Sequence, residues 1–163
     1  MKIFNSCSAS GGGVGLKIID AIDDLEFNYK GFYSVYNFLV DGVVNQSLFL
    51  INNAEWLDIP IYNNKVAFKE TPLDNNASAY SVSLSLFIAG NEVDNVNGFE
   101  ALNGKLFLLD YTDNNNNRRL VGFSDEPMKL SIDFNVPDSH TGVSGHSLVF
   151  TGIVSKRAPK YDI

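Results

Sequence analysis

A serine and two histidines come closest to hydrolytic chemistry in this chain. The run 142–146 reads Gly-Val-Ser-Gly-His and places Ser144 two positions before His146. A nucleophile elbow needs a second glycine at the position of His146 and a strand-to-helix turn, and no helical pattern follows here. We therefore interpret the run as a flexible loop. His140 and His146 are the only histidines, and we expect both to be exposed at opposite ends of that loop.

Acidic and amide side chains raise the question of a calcium site. A calcium loop starting at Asp113 would have Asn115 and Asn117 in register, but Arg118 replaces the turn glycine and Ser124 replaces the bidentate glutamate. The run around Asn95, Asn97 and Gly98 fails in the same way, because Val93 and Gly104 would stand at the first and last ligand positions. An irregular site built from loop carboxylates stays open as an alternative.

Other residues with possible chemistry are isolated or paired only along the chain. Asp23-Asp24 and Asp125-Glu126 are adjacent carboxylates beside turns, where solvation is more typical than the fixed separation that glycoside hydrolysis needs. Cys7 is the single cysteine, so no intrachain disulfide and no cysteine-rich zinc site can form. We predict no catalytic, cofactor-binding or metal-binding residues, no cofactor, and a protein that is not an enzyme.

Charge and hydropathy limit the partners. The formal net charge is −7 over 163 residues, which disfavours specific nucleic-acid binding because a DNA or RNA binder needs a basic surface. Lys156, Arg157 and Lys160 form a basic C-terminal cluster, interpreted as a solvated tail or as a docking segment for an acidic neighbour. We expect no secretory leader and no membrane helix, and hence synthesis and folding in a cytoplasm.

Alternating apolar and polar residues predict the elements that would carry these side chains. In residues 80–88 the apolar side chains occupy every second position from Tyr80 to Ile88, and serines fill the positions between them as far as Ser85. Period two is typical of a half-buried strand. Similar runs, separated by turn residues, extend over residues 16–153. We expect an all-β fold, an antiparallel sandwich or barrel of about nine to eleven strands with at most one short helix.

Turn residues divide these runs into elements. Asp41-Gly42 predicts a hairpin between residues 32–40 and 43–51, and the asparagines of 112–117 predict a second hairpin loop. Pro60 places the run 57–62 at a sheet edge. Further strands are expected at residues 16–29, 65–70, 80–88, 105–111, 118–123, 128–136 and 146–153, and the helix at 95–103. The domain limits are a Gly-rich arm at 1–15, a β-domain at 16–155 and a basic tail at 156–163.

Several short motifs resemble small virion proteins encoded by phages and prophages of Bacteroidales-type gut bacteria. The segments are Trp-Leu-Asp-Ile-Pro-Ile-Tyr at 56–62, Arg-Leu-Val-Gly at 119–122, Asp-Glu-Pro-Met-Lys-Leu at 125–130 and Gly-His-Ser-Leu-Val-Phe-Thr-Gly at 145–152. They fall in the last two thirds of the chain, and residues 1–55 show no comparable likeness. The resemblance implies a structural, tail-type part of a tailed phage and implies no catalytic residues.

From residues and resemblance together we expect a non-enzymatic structural subunit that assembles into a ring or tube of a phage tail or its connector. Its partners would be further copies in a homo-oligomeric ring and other virion proteins, and its location would be the virion. The alternative is a carbohydrate- or receptor-binding β-sandwich module, in which Trp56, Tyr62 and Tyr111 would stack on sugars. An exposed planar set of these three aromatic side chains would favour the alternative.

Overall fold

Eleven β-strands and one α-helix form the part of the chain that the computed structural model describes. The described residues are 15–20, 39–40, 43–44, 56–61, 65–90, 93–123, 125–136, 138 and 142–161. The helix, α1, spans Val93–Leu102. The strands in chain order are β1 (Gly15–Asp20), β2 (Leu39–Val40), β3 (Val43–Val44), β4 (Leu57–Asp58), β5 (Val66–Pro72), β6 (Tyr80–Ala89), β7 (Leu106–Thr112), β8 (Arg118–Val121), β9 (Met128–Asn135), β10 (Gly145–Val154) and β11 (Lys160–Tyr161).

The strands belong to one continuous hydrogen-bonded sheet. Its order is β5-β6-β10-β9-β7-β8-β11-β3-β2, while β1 pairs with β7 and carries β4. Every described pair is antiparallel except β11 with β3. Among the described strands, β5 and β2 stand at opposite ends of this order and do not pair, so the sheet is not closed into a barrel. The predicted antiparallel all-β fold is confirmed, in a sandwich-like form.

Contacts between aromatic rings show that the sheet folds over on itself. Four strand steps separate β5 from β7, which would place them about 19 Å apart in a flat sheet. The ring centroids of Phe68 on β5 and Tyr111 on β7 are nevertheless 5.5 Å apart. We call β5-β6-β10-β9 the front layer and β4-β1-β7-β8-β11-β3-β2 the back layer. Most of the hydrophobic core lies between the two layers, while Ile19 and Leu108 are buried on the opposite face of the back layer.

Strand β7 crosses behind the front layer. It begins beside β9, where Leu106 pairs with Lys129, and its Phe107 ring then contacts Phe150 of β10 at 6.1 Å. It ends behind β5, at the contact between Tyr111 and Phe68. A strand shared by two layers at a steep angle is typical of orthogonal sheet packing.

The interior face of the front layer has the period-two pattern expected from the sequence. Val82, Leu84, Leu86 and Ile88 of β6 are buried, while the serines between them are partly or fully exposed. Leu86 pairs with Leu148 of β10, which is itself fully buried. The predicted register of this strand is therefore confirmed.

A glycine makes the corner at which the chain passes from the back layer to the front layer. Gly122 directly follows β8 and has φ = 82°, a left-handed conformation that residues with a Cβ rarely adopt. A Cβ at this position would lie 2.9 Å from Cγ of Met128. The tight turn closes with hydrogen bonds between Phe123 and Glu126, and the chain continues as β9.

Helix α1 covers one end of the core between β6 and β7. Its Phe99 and Leu102 side chains are buried. After the helix, the amide of Gly104 donates to the carbonyl of Leu130 at 2.8 Å, and the side-chain oxygen of Asn103 accepts from the amide of Ile132 at 3.0 Å. These bonds fix the end of the helix against β9. The predicted short helix is confirmed.

The remaining predicted elements agree with the structure where it describes them. Leu39 pairs with Val44 and Val40 with Val43, as a hairpin across Asp41-Gly42 requires. In the described chain β4 pairs with β1 alone, which places it at a sheet edge. The predicted N-terminal arm, and the parts of the first strands at 21–38 and 45–51, lie outside the described residues, apart from Gly15 at the start of β1. No helix in the described residues is long and apolar enough to span a bilayer.

Candidate functional site

The serine of the hydrolase-like run lies in an extended connection. Ser144 directly precedes β10, so a strand follows it and not the helix of a nucleophile elbow. Its carbonyl accepts a hydrogen bond from the amide of Gly90 at 2.9 Å. This bond ties the connection to the end of β6. The residue has a structural contact, in agreement with its interpretation as a loop residue.

His146 is not an exposed loop residue, and that prediction is wrong. It is the second residue of β10, is only 4% exposed and faces the core beside Ile88. Its imidazole ring lies 4.4 Å from the ring of Phe99 on α1 and 4.9 Å from the ring of Phe134 on β9, measured between centroids. The strand begins one residue nearer the loop than predicted, at Gly145 instead of His146, so His146 lies inside it. His140, the other histidine, lies outside the described residues.

The surroundings of His146 favour its neutral form. Burial lowers the pKa of the imidazole from its usual value of 6.5, and a hydrogen bond with the backbone of Gly90 opposes this effect only in part. Its Nδ1 atom is buried and has no hydrogen-bond partner among the described residues. The two rings that contact it, Phe99 and Phe134, offer neither an acid nor a nucleophile of the kind that base catalysis pairs with a histidine.

Loop carboxylates are engaged by their own backbone. The Oδ2 atom of Asp113 accepts from the side-chain amide of Asn117 at 3.0 Å, and its Oδ1 atom accepts from the backbone amides of Asn117 and Asn115 at 2.9 and 2.8 Å. These bonds lower the pKa of the carboxyl, the side-chain bond most of all. Asp74 accepts in the same way from the amide and the hydroxyl of Ser78. Each carboxylate shapes its own turn. Within the described part of the chain, no three acidic, histidine or cysteine side chains are grouped as metal ligands would be.

A buried ion pair lies on the face of the back layer that points away from the front layer. Asp110 is 3% exposed and accepts two hydrogen bonds from Arg118, 2.8 Å from Nε to Oδ1 and 2.6 Å from Nη2 to Oδ2. The guanidinium also stacks over the ring of Tyr161 at 4.6 Å. A bidentate pair of this kind satisfies both charges and orients the arginine. The hydrogen bonds and the ring contact of Arg118 therefore hold together three strands, β7, β8 and β11.

The basic C-terminal segment belongs to the fold, which differs from the interpretation as a solvated tail. Residues 155–161 run from the end of β10 to the back layer, where β11 pairs with β8. Glu126 accepts from the amide of Ser155 at 2.8 Å, and Glu70 accepts from the amide of Ala158 at 2.6 Å. Ala158 and Tyr161 are 5% and 4% exposed. The hydrophobic residues among the basic ones indicate that this segment packs against the fold. A strand could not be predicted there, because β11 spans only two residues and is too short to show a period-two pattern.

The aromatic residues considered for sugar stacking do not form an exposed set. Tyr111 is 7% exposed and contacts Phe68 inside the sandwich. Trp56 is partly buried and packs against the core. Tyr62 lies outside the described residues. The two described members are therefore held in or against the core, which removes the feature that would have favoured a carbohydrate-binding module.

Exposed apolar side chains mark the two ends of the front layer. At one end Phe134, Val136 and Val143 are 46%, 66% and 52% exposed, beside the exposed carboxylates of Asp133 and Asp138; we call these five residues the tip surface. Gly145 pairs with Asn135, so Val136 and Val143 leave the layer at the same end.

The opposite end of the layer combines apolar and basic residues. Leu73 and Ile153 are 53% and 63% exposed, and the exposed side chains of Lys156 and Arg157 follow at the end of β10. We call these four residues the base surface. The guanidinium of Arg157 lies 5.2 Å from the ring centroid of Tyr80, which holds it at this end.

Comparison with known proteins found no relative of this chain. No family model matches the chain, and no match is found among the curated proteins or the solved structures. The functional argument therefore depends on the residues themselves. Lys156 and Arg157 belong to the basic cluster recognised in the sequence. The tip surface and the apolar part of the base surface were not singled out, because the strand register and the exposure of Val136, Val143 and Ile153 become visible only in the folded chain.

Proposed function

We propose that this protein is a non-enzymatic structural subunit of a tailed-phage virion. It assembles with further copies, and with other virion proteins, into a ring or tube of the tail or its connector. It is made in the cytoplasm of the bacterial host and functions in the virion. The proposal combines the motif resemblance of residues 56–62, 119–122, 125–130 and 145–152 with the surface properties of the sandwich.

The observation that carries the proposal is the placement of the exposed apolar residues. Five large apolar side chains of the described chain are 46% exposed or more, and all five lie at the two ends of the front layer. Single exposed apolar residues are ordinary, but apolar residues that cluster mark sites of protein contact. A subunit with a neighbour on either side requires two such ends.

The outer face of the front layer also suits burial against a neighbour. The strand register brings Ser83 and Thr151 side by side between Lys69 and Lys129, and the next row contains Ala67, Ser85, Val149 and Ser131. Burial of small apolar side chains carries no desolvation penalty, and burial of a hydroxyl that finds a hydrogen-bond partner costs far less free energy than burial of an unpaired charge. This face can therefore approach a neighbouring subunit.

The direct test is the composition of particles purified from a strain that carries the gene. We expect the chain to co-purify with complete particles at a fixed copy number, measured by quantitative mass spectrometry. Deletion of the gene should give particles that lack part of the tail. A matched strain that carries His146→Gln should still assemble particles, because this histidine makes no catalytic contribution in the proposal.

Two results would contradict the proposal. One is a chain that is absent from particles at every stage of purification. The other is turnover in a hydrolase screen on glycans and peptides that disappears with His146→Gln or with a carboxylate substitution. Saturable binding on a glycan array, together with absence from particles, would support the carbohydrate-binding alternative instead.

A further inference from the structure

We propose that copies of this chain associate head to tail, with the tip surface of one copy seated on the base surface of the next. This inference rests on the proposed function and names the contact through which the subunit would assemble. The occupant of each surface is a second copy of the same chain.

The two surfaces face away from each other on one continuous layer. The tip surface lies where β10 begins and β9 ends, and the base surface lies where β10 ends and β5 turns into β6. Nine residue steps of β10 separate these ends by about 30 Å. A contact between two different patches on opposite ends is heterologous, and such contacts build closed rings or open tubes.

Apolar and charged groups are complementary across the proposed contact. The tip surface presents three apolar side chains with the carboxylates of Asp133 and Asp138, and the sequence contains no lysine or arginine from residue 130 to residue 155. The base surface presents Leu73 and Ile153 with Lys156 and Arg157. Docking therefore places apolar on apolar and carboxylate on cation.

The same charges disfavour the symmetric alternatives. A tip-to-tip contact would bring four carboxylates together, and a base-to-base contact would bring four cations together. Like charges placed opposite one another weaken an association and exclude the wrong pairing. At the base, the nearby carboxylates of Asp74 and Glu126 accept hydrogen bonds from Ser78 and Ser155 of their own chain.

A charge-swap experiment tests the contact. One variant carries Asp133→Lys with Asp138→Lys, and the other carries Lys156→Glu with Arg157→Glu. We expect the wild-type chain to self-associate with rising concentration at low salt, as measured by sedimentation velocity. Each double variant alone should associate at least about tenfold more weakly. An equimolar mixture should regain the wild-type affinity, because every tip then meets a base of opposite charge.

The matched control is Lys17→Glu with Asp58→Lys, which reverses two exposed charges of the back layer, away from the tip surface, the base surface and the outer face of the front layer. It should leave association unchanged, and circular dichroism melting should show that all three variants are folded. If the control abolishes association while the tip and base variants do not, the inference is wrong but assembly through another face stands. A wild-type chain that remains monomeric also overturns the inference, while its presence in purified particles would still support the proposed function.

Discussion

Two buried polar side chains of this protein differ in how their hydrogen bonds are completed. Both carboxylate oxygens of Asp110 are bonded to Arg118, at 2.8 and 2.6 Å. His146 interacts with the backbone of Gly90, but its Nδ1 has no partner among the described residues. A buried polar atom left without a partner costs about 1–3 kcal/mol. His146 is therefore the residue through which pH acts most directly on this core.

We predict that the stability of the protein falls as the pH drops below about 6.5. Burial lowers the pKa of His146 in the folded chain, so the unfolded chain binds a proton first as the pH decreases. The free energy of unfolding should decline through this window by at most about 1.4 kcal/mol per pH unit and level off below the folded pKa. Urea denaturation at a series of pH values measures the decline.

The control for this prediction uses the two histidines of the chain. His146→Phe should remove the decline between about pH 7 and 5, whereas His140→Gln should retain it. The pKa values of Asp74 and Asp113 are lowered from 3.8. Protonation of these carboxylates therefore reduces stability only at a more acidic pH, outside the window in which His146 titrates. A decline that follows His140 would contradict the assignment.

At the scale of single elements, β6 shows how alternation decides which side chains stabilise the sandwich. Leu86 is 5% exposed and lies in a row with Leu148 of β10 and Val66 of β5. Ser83, three residues earlier, faces the outside between Lys69 and Thr151. The same strand therefore offers a buried position and a partly exposed one within the same ladder of hydrogen bonds.

We predict that Leu86→Ala lowers the free energy of unfolding by about 2–5 kcal/mol, because it removes buried methyl groups and leaves a cavity. Ser83→Ala, the matched substitution on the other face, should change it by less than about 0.5 kcal/mol. Chemical denaturation of both variants measures the difference. Small and equal effects at the two positions would show that the register of β6 is misassigned.

At the scale of the whole molecule, the C-terminal segment joins the two layers. It leaves the front layer at Val154, bonds to Glu126 and Glu70, and enters the back layer where the amide of Leu120 donates to the carbonyl of Pro159 at 3.1 Å. Tyr161 then covers Arg118. Because it touches both layers, the segment resists their separation.

We predict that ending the chain after Val154 lowers the free energy of unfolding by at least about 3 kcal/mol. The truncation removes the buried Ala158 and Tyr161 side chains and leaves the amide of Leu120 and the carboxylates of Glu70 and Glu126 without these partners. Ending the chain after Tyr161 is the control and should be nearly neutral. Equal stability of the two truncated chains, measured by urea denaturation, would refute a role for the segment in holding the layers.

The sequence by itself determined the elements of this protein wherever a local pattern was sufficient. Alternating residues predicted β6 and its buried face, Asp41-Gly42 predicted the pairing of Leu39–Val40 with Val43–Val44, and the run of asparagines predicted the turn before Arg118. In each case the determining contacts lie within a few residues of one another. The all-β, antiparallel fold class follows from these elements together.

Only the tertiary structure decided which elements share a layer and what surrounds each polar residue. The prediction of an exposed His146 failed because burial depends on α1 and β9, which bring Phe99 and Phe134 to the ring. The pairing of β11 with β8 and the bonds of Glu70 and Glu126 likewise join residues far apart in the chain. Such contacts form when the sheet folds over on itself. A local sequence pattern cannot predict them, because it contains no information about which distant residue will pack against a given side chain.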